Sequence, residues 1–146
     1  MAGKAGLKAG LIGAVVMTGA VLVNHLLLTI GGNMALSLTI CGVTTLLYAG
    51  IGALAGFFVA PPRTAGKGAA AGAIAGLIGG AISVTVGVIL ILTGVSKALD
   101  PQQMQQLAEL GMNPALITLP SAVCGMGAGS GAAAAGGAIL AAVRSD

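Results

Sequence analysis

Hydrophobic positions along this chain gather into four long runs, separated by breaks at Gly31-Gly32-Asn33, at Pro61-Pro62-Arg63-Thr64 and across Lys97 to Asn113. A helix rises about 1.5 Å per residue, so each run is long enough to cross a hydrocarbon layer of about 30 Å. The pattern predicts spans near 9–30, 35–60, 67–95 and 114–143. The predicted fold is an all-α integral membrane protein, a four-transmembrane-helix bundle forming one membrane domain over 1–146. The first run, of about 20 apolar residues, is too long for the 7–15-residue core of a signal peptide and reads as an uncleaved span.

The third break is the one extended polar stretch, DPQQMQQLAELGMNP. Asp100 can cap a helix, Pro101 suits its first position, Gln103 completes a capping-box spacing and Gly111 can stop it. A short amphipathic helix over about 100–111 is therefore predicted between spans 3 and 4. Its stripe is Met104, Leu107, Ala108 and Gly111, able to lie on the membrane surface or on neighbouring spans. Asn113-Pro114 restarts a helix by the same logic, and Pro120 offers a second start.

Composition supports the membrane assignment: 57% of residues are hydrophobic and 6% charged, where a soluble domain carries about 25% charged residues. Aromatics are 2%, with no Trp. The interfacial aromatic belt is missing, which suggests a surface covered by other protein. The net charge of +3 comes from cations scattered over the breaks, so it speaks of topology rather than nucleic acid. Lys4, Lys8, Arg63, Lys67 and Arg144 fall on one side, and Lys97, Asp100 and Glu109 on the other. The positive-inside rule then predicts both termini in the cytoplasm of a bacterial inner membrane.

The pentapeptide AGLIG occurs at Ala9 to Gly13 and again at Ala75 to Gly79. Further echoes are Asn33-Met34-Ala35-Leu36 against Asn113-Pro114-Ala115-Leu116, each followed by a Cys-Gly pair, Cys41-Gly42 and Cys124-Gly125. These predict two tandem helical hairpins. Each unit has an even number of spans, so the repeat is parallel, about an axis along the membrane normal.

Glycines at 68, 72, 76 and 80 form one flat stripe on the third span. Lipid provides no hydrophobic force between helices, so close backbone approach along such seams holds a bundle together. The other spans carry the same four-residue spacing in Gly6/Gly10, Gly52/Gly56, Gly125/Gly129 and Gly127/Gly131. The helix-packing candidates are accordingly Gly10, Gly13, Gly52, Gly56, Gly68, Gly72, Gly76, Gly80, Gly125 and Gly129, acting either within the chain or between subunits. The fourth span, poor in large side chains, is expected to be the buried, central helix. Gly66-Lys67-Gly68 lacks the spacing of a phosphate loop and reads as a cytoplasmic turn. Cys41 and Cys124 read as small buried hydrophobes rather than metal ligands.

His25 and Asn24 are the candidates for a ligand or polar contact within a span. His25 is either a neutral histidine bonded to a neighbouring helix or an axial ligand to a haem or chlorophyll-type pigment. No span carries Asp, Glu, Lys or Arg in its centre, which disfavours ion-coupled pumps, rotor rings and voltage sensors. No acid, base and nucleophile converge, so an enzyme is not predicted. No other metal site and no resident cofactor is expected.

With Lys/Gly-led spans, the text AGxIAGLIGG at 71–80, and a D-P-x-Q-x-x-x-L-A segment before a Gly-rich last span, the chain resembles small four-span, Gly/Ala-rich bacterial membrane proteins of unknown function. That resemblance implies the fold and no activity. The leading functional expectation is a structural or accessory membrane protein, packing against itself or a larger complex through Gly/Ala seams. The first alternative is a passive channel or carrier for a small neutral solute, lined by Thr18, Asn24, Ser83 and Thr85. The second is a pigment- or haem-binding subunit through His25.

Overall fold

The computed structural model describes residues 2–31, 34–93, 105, 109–111 and 114–144. They form four long helices: α1 (Ala2–Gly31), α2 (Met34–Phe57), α3 (Ala65–Leu92) and α4 (Pro114–Val143). Each is long and apolar enough to span a membrane, and no strand occurs among the described residues.

Against the predicted spans, α2 ends at Phe57 rather than near residue 60, and the larger difference is at the start of α1. That helix begins at Ala2 rather than near residue 9, because its first two turns are packed as well as helical. Ala5 and Ala9 are buried while Lys4 and Lys8, on the other face, stay exposed. Gly6 lies against Ala71 and Ile74 of α3. The apolar run marked where lipid begins, whereas the helix extends to wherever backbone hydrogen bonds and a neighbour can hold it. The fourth helix begins at Pro114 rather than Pro120.

Most of the 100–111 segment lies outside the described residues. Within it Gln105 and Glu109 are helical, and Gly111 adopts φ +64° directly after the helical Glu109 and the turn residue Leu110. This is the left-handed conformation in which helices commonly end on glycine.

Between α2 and α3 the chain turns through Phe58 to Thr64. The Val59 N–H donates to Gly56 O at 3.3 Å, and Arg63 Nε donates back to Val59 O at 3.1 Å. Thr64 caps α3: its Oγ1 accepts from the Lys67 N–H at 3.3 Å, and its carbonyl accepts from Gly68 N at 3.0 Å. Gly66-Lys67-Gly68 is thus the first turn of α3 rather than the connecting turn. Thr64→Ala should lower stability by roughly 0.5–2 kcal/mol, and Thr64→Asp, which keeps the acceptor, should restore most of it in thermal unfolding in detergent.

All five described cations lie at one end of the bundle. The Arg144 guanidinium sits 4.5 Å from the centre of the Phe57 ring, joining the ends of α2 and α4, and Phe58 meets Phe57 edge-on at 5.8 Å. Such a contact orders the charge without removing it from water.

In cross-section α2 and α3 each touch every other helix, and α1 and α4 lie on opposite flanks. The expectation that the fourth span is the buried, central helix does not hold. It is the span with the smallest buried share, 22% over Gly125–Val143. Small side chains let one edge of α4 sink between α2 and α3, and that geometry leaves its other edge outside.

The two AGLIG copies lie side by side in the parallel α1–α3 pair: a methyl group placed on Gly79 would be 3.8 Å from the Gly13 carbonyl carbon. Their surroundings differ, since Gly10 faces Ile78 whereas Gly76 faces Ser130 and Ala133.

Candidate functional site

Glycine decides where backbones meet, and in this bundle they meet mainly around α4. A Cβ added at Gly52 would run into the Ala133 carbonyl, and one at Gly56 would lie 2.5 Å from Gly137 O. From α3, Gly68 faces Gly137 and Ala141, Gly72 faces Ala133, and Gly76 lies against Ser130. Gly80 meets Met126 and the Tyr48 hydroxyl. On α1, Gly10 packs on Ile78 of α3 and Gly13 on Ile51 of α2. These contacts are all within one chain.

Gly136 and Gly137 also belong to the seam and were missed in the sequence reading. Gly136 faces Ala49 and Gly137 faces both Gly52 and Gly68. The signal for Gly137 was legible in principle, since Gly129, Ala133, Gly137 and Ala141 recur every four residues, and the structure buries all four; Gly136 lies outside that series.

Gly129 makes room for a ring. Its added Cβ would be 2.7 Å from Tyr48 Cε2 and Cζ. Tyr48 is the chain's single tyrosine and is 7% exposed, so Gly129 and Gly80 together form a slot for it. The slot is one wall of a cavity of about 250 Å³, lined from all four helices. At about 1.5 Å per residue the cavity lies roughly 10 Å inside the cation-poor end of α1.

Four polar side chains line this cavity: Asn24, Thr44, Tyr48 and Ser83. Met17 and Met126 are prominent among its apolar walls. Ser83 Oγ donates to Gly80 O at 2.9 Å and Thr44 Oγ1 donates to Ile40 O at 2.8 Å. Asn24 Oδ1 is buried with no hydrogen-bond partner. Such an orphaned acceptor ordinarily costs about 1–3 kcal/mol.

Gly125 borders the same cavity, and a Cβ there meets nothing within 4 Å. It lies at the cavity rather than in a tight seam. Of the four residues expected to line a solute path, Asn24 and Ser83 line this cavity and Thr18 does not. Thr85 is exposed on the bundle surface with its hydroxyl donated to Ala81 O at 2.8 Å. That is the usual way a helical threonine satisfies itself. Tyr48 and Thr44 were missed because only the three-dimensional rotation of α2 shows which polar residues point inward.

His25 is half-buried, has an interaction partner of its own and is not among the cavity-lining residues. Cys41 is a free thiol exposed on the bundle surface rather than a buried one. The Cys124 side chain is outside the described ones. No group of three or more metal-ligating side chains occurs among the described residues.

A second feature is the outer face of α4. Gly127, Ala128, Gly131 and Ala135 are exposed, and a Cβ at Gly127 or Gly131 meets nothing within 4 Å. Further along the same stripe Ile139 and Val143 are exposed, so the bare stretch is 127–135, whereas the outer face of α1 carries large aliphatics along its length, with Leu7, Leu11, Val15, Leu22, Val23 and Leu26 all exposed.

Fold and composition together define the class: an all-α membrane protein of four spans, tightened by glycine. Comparison with protein-family models, curated proteins and solved structures finds no match to the chain.

Proposed function

We propose that the protein is a non-enzymatic structural or accessory membrane protein that associates through the outer Gly/Ala face of α4. The supporting observation is the contrast between the two flanks. Large aliphatics on α1 suit lipid, whereas a flat stripe of Gly127, Ala128, Gly131 and Ala135 gives lipid little to hold and lets another helix approach closely. The occupant we favour is a second copy of this chain. A two-fold axis would set the stripe against itself, and self-complementary faces give closed dimers.

The cation-bearing end is placed in the cytoplasm of a bacterial inner membrane by the positive-inside rule. Both termini then face inward.

The face can be altered without disturbing the monomer, because Gly131 meets open space. Native mass measurement in mild detergent should show a dimer for the natural chain and a monomer for Gly131→Leu, with unchanged helical circular dichroism. A lone monomer for the natural chain, with nothing co-purifying, would overturn the proposal. A co-purifying different subunit lost on Gly131→Leu would keep the face and replace the occupant.

A further inference from the structure

We propose that the outer flank of α1 binds an anionic phospholipid, with the headgroup phosphate held by Lys4 and Lys8 and an acyl chain laid along the aliphatic stripe beneath them. The supporting observation is how the five described cations are used. Arg63 Nε donates to Val59 O at 3.1 Å, Lys67 Nζ donates to Pro62 O at 2.9 Å, and the Arg144 guanidinium sits over the Phe57 ring. Lys4 and Lys8 are exposed and make no hydrogen bond or ion pair with any described residue. The one described carboxylate, Glu109, precedes the start of α4 at the other end of the bundle. Among the described residues, then, the chain offers these two ammonium groups no anion.

Lys4 and Lys8 are about one helical turn apart, with Cβ atoms about 5–6 Å from each other, a spacing that one phosphate can bridge. At helical steps of three, four or seven the same face continues through Leu11, Val15, Leu22 and Leu26, all exposed. Lys8 stands between exposed Leu7 and Leu11, at the edge of the hydrocarbon. There a long lysine stem lies on apolar surface and carries its ammonium to headgroup level. One leaflet takes up about half of a 30 Å hydrocarbon layer, or roughly ten residues of helix. Leu11 and Val15 therefore lie within reach of an acyl chain whose phosphate is at Lys8.

An occupant that satisfies the whole face has a negative head and an apolar body in line, which describes a phospholipid. An acidic soluble partner would approach the end of the bundle and meet Lys67 and Arg144, not a stripe running along the membrane normal. Charge selects the lipid class: phosphatidylcholine brings a cation of its own to the lysine pair, whereas phosphatidylglycerol brings only the negative charge. Because α1 and α4 lie on opposite flanks, the site is complete in one chain and does not depend on association through α4.

The full chain in mild detergent would be titrated with phosphatidylglycerol and, separately, with phosphatidylcholine carrying the same acyl chains, and read by native mass measurement. Phosphatidylglycerol is expected to bind at least about fivefold more tightly. Lys4→Gln/Lys8→Gln should bring the two lipids to within about twofold of each other, with unchanged helical circular dichroism, and Lys4→Arg/Lys8→Arg should keep the preference. Lys67→Gln/Arg144→Gln removes the same charge from the end of the bundle and should also keep it. Glycerol phosphate, the headgroup without its chains, should not displace the lipid at matched concentration. Adducts are counted per chain, so the outcome is the same for a monomer and a dimer. No phosphatidylglycerol adduct, equal binding of the two lipids, equal loss in both glutamine pairs, loss in the arginine pair, or displacement by glycerol phosphate would overturn the proposal.

Discussion

Gly52→Val should abolish the folded bundle. A Cβ at Gly52 would collide with the Ala133 carbonyl oxygen and would lie 2.5 Å from its carbon and 2.6 Å from its Cα. All three are backbone atoms, so no rotamer change relieves the contact. α2 would have to move away from α4, carrying Gly56 away from Gly137 with it. Ordinary overpacking costs about 1–3 kcal/mol. Separating two helices along a seam costs more than that, in a solvent where close packing is the main force between them. Unfolding titration with a denaturing detergent should show no cooperative transition for Gly52→Val, whereas Gly127→Val, on the open face, should unfold like the natural chain. Similar curves for the two variants would sink the packing scheme.

Gly129→Leu should be nearly as damaging, and a second substitution should rescue it. A side chain at 129 enters the space of the Tyr48 ring and displaces it from its slot. Tyr48→Ala alone should cost on the order of 2 kcal/mol, mainly as the penalty of an unfilled void. Combined with Gly129→Leu it vacates the volume the new leucine needs. The double variant should therefore be more stable than Gly129→Leu alone, a non-additivity expected only of residues in direct contact. Thermal unfolding of the four proteins forms a complete cycle, and simple addition of the two losses would refute the slot.

Much of this protein is legible from the chain. Four apolar runs announce four spans, since a backbone in lipid must satisfy its own hydrogen bonds and the helix is the way a single span does so. The spacing of Gly68, Gly72, Gly76 and Gly80 announces a seam, because residues four apart share a helix face. The start of α1 was less legible: Ala5 and Ala9 owe their burial to α3, and nothing within their own stretch of sequence says so.

The cavity was legible only in part. Asn24 and Ser83 could be named as polar residues inside spans, but Thr85 satisfies the same description and faces outward. Gly125 and Gly129 share one helix and one spacing, yet one borders the cavity and the other accepts the Tyr48 ring. In a chain this rich in glycine a four-residue repeat identifies faces without saying which face meets which.

By itself the sequence determined the class, the number of spans and the side on which the cations gather, because hydropathy and charge act residue by residue against lipid and water. Only the tertiary structure decided that the glycine seams of α2 and α3 close on α4 within one chain. It alone showed that α4 keeps a bare outer stretch over 127–135, and that Asn24, Thr44, Tyr48 and Ser83 converge on one cavity. Those outcomes depend on the rotation of each helix about its own axis. Rotation is set by mutual packing among four nearly uniform apolar surfaces, a property no single span contains.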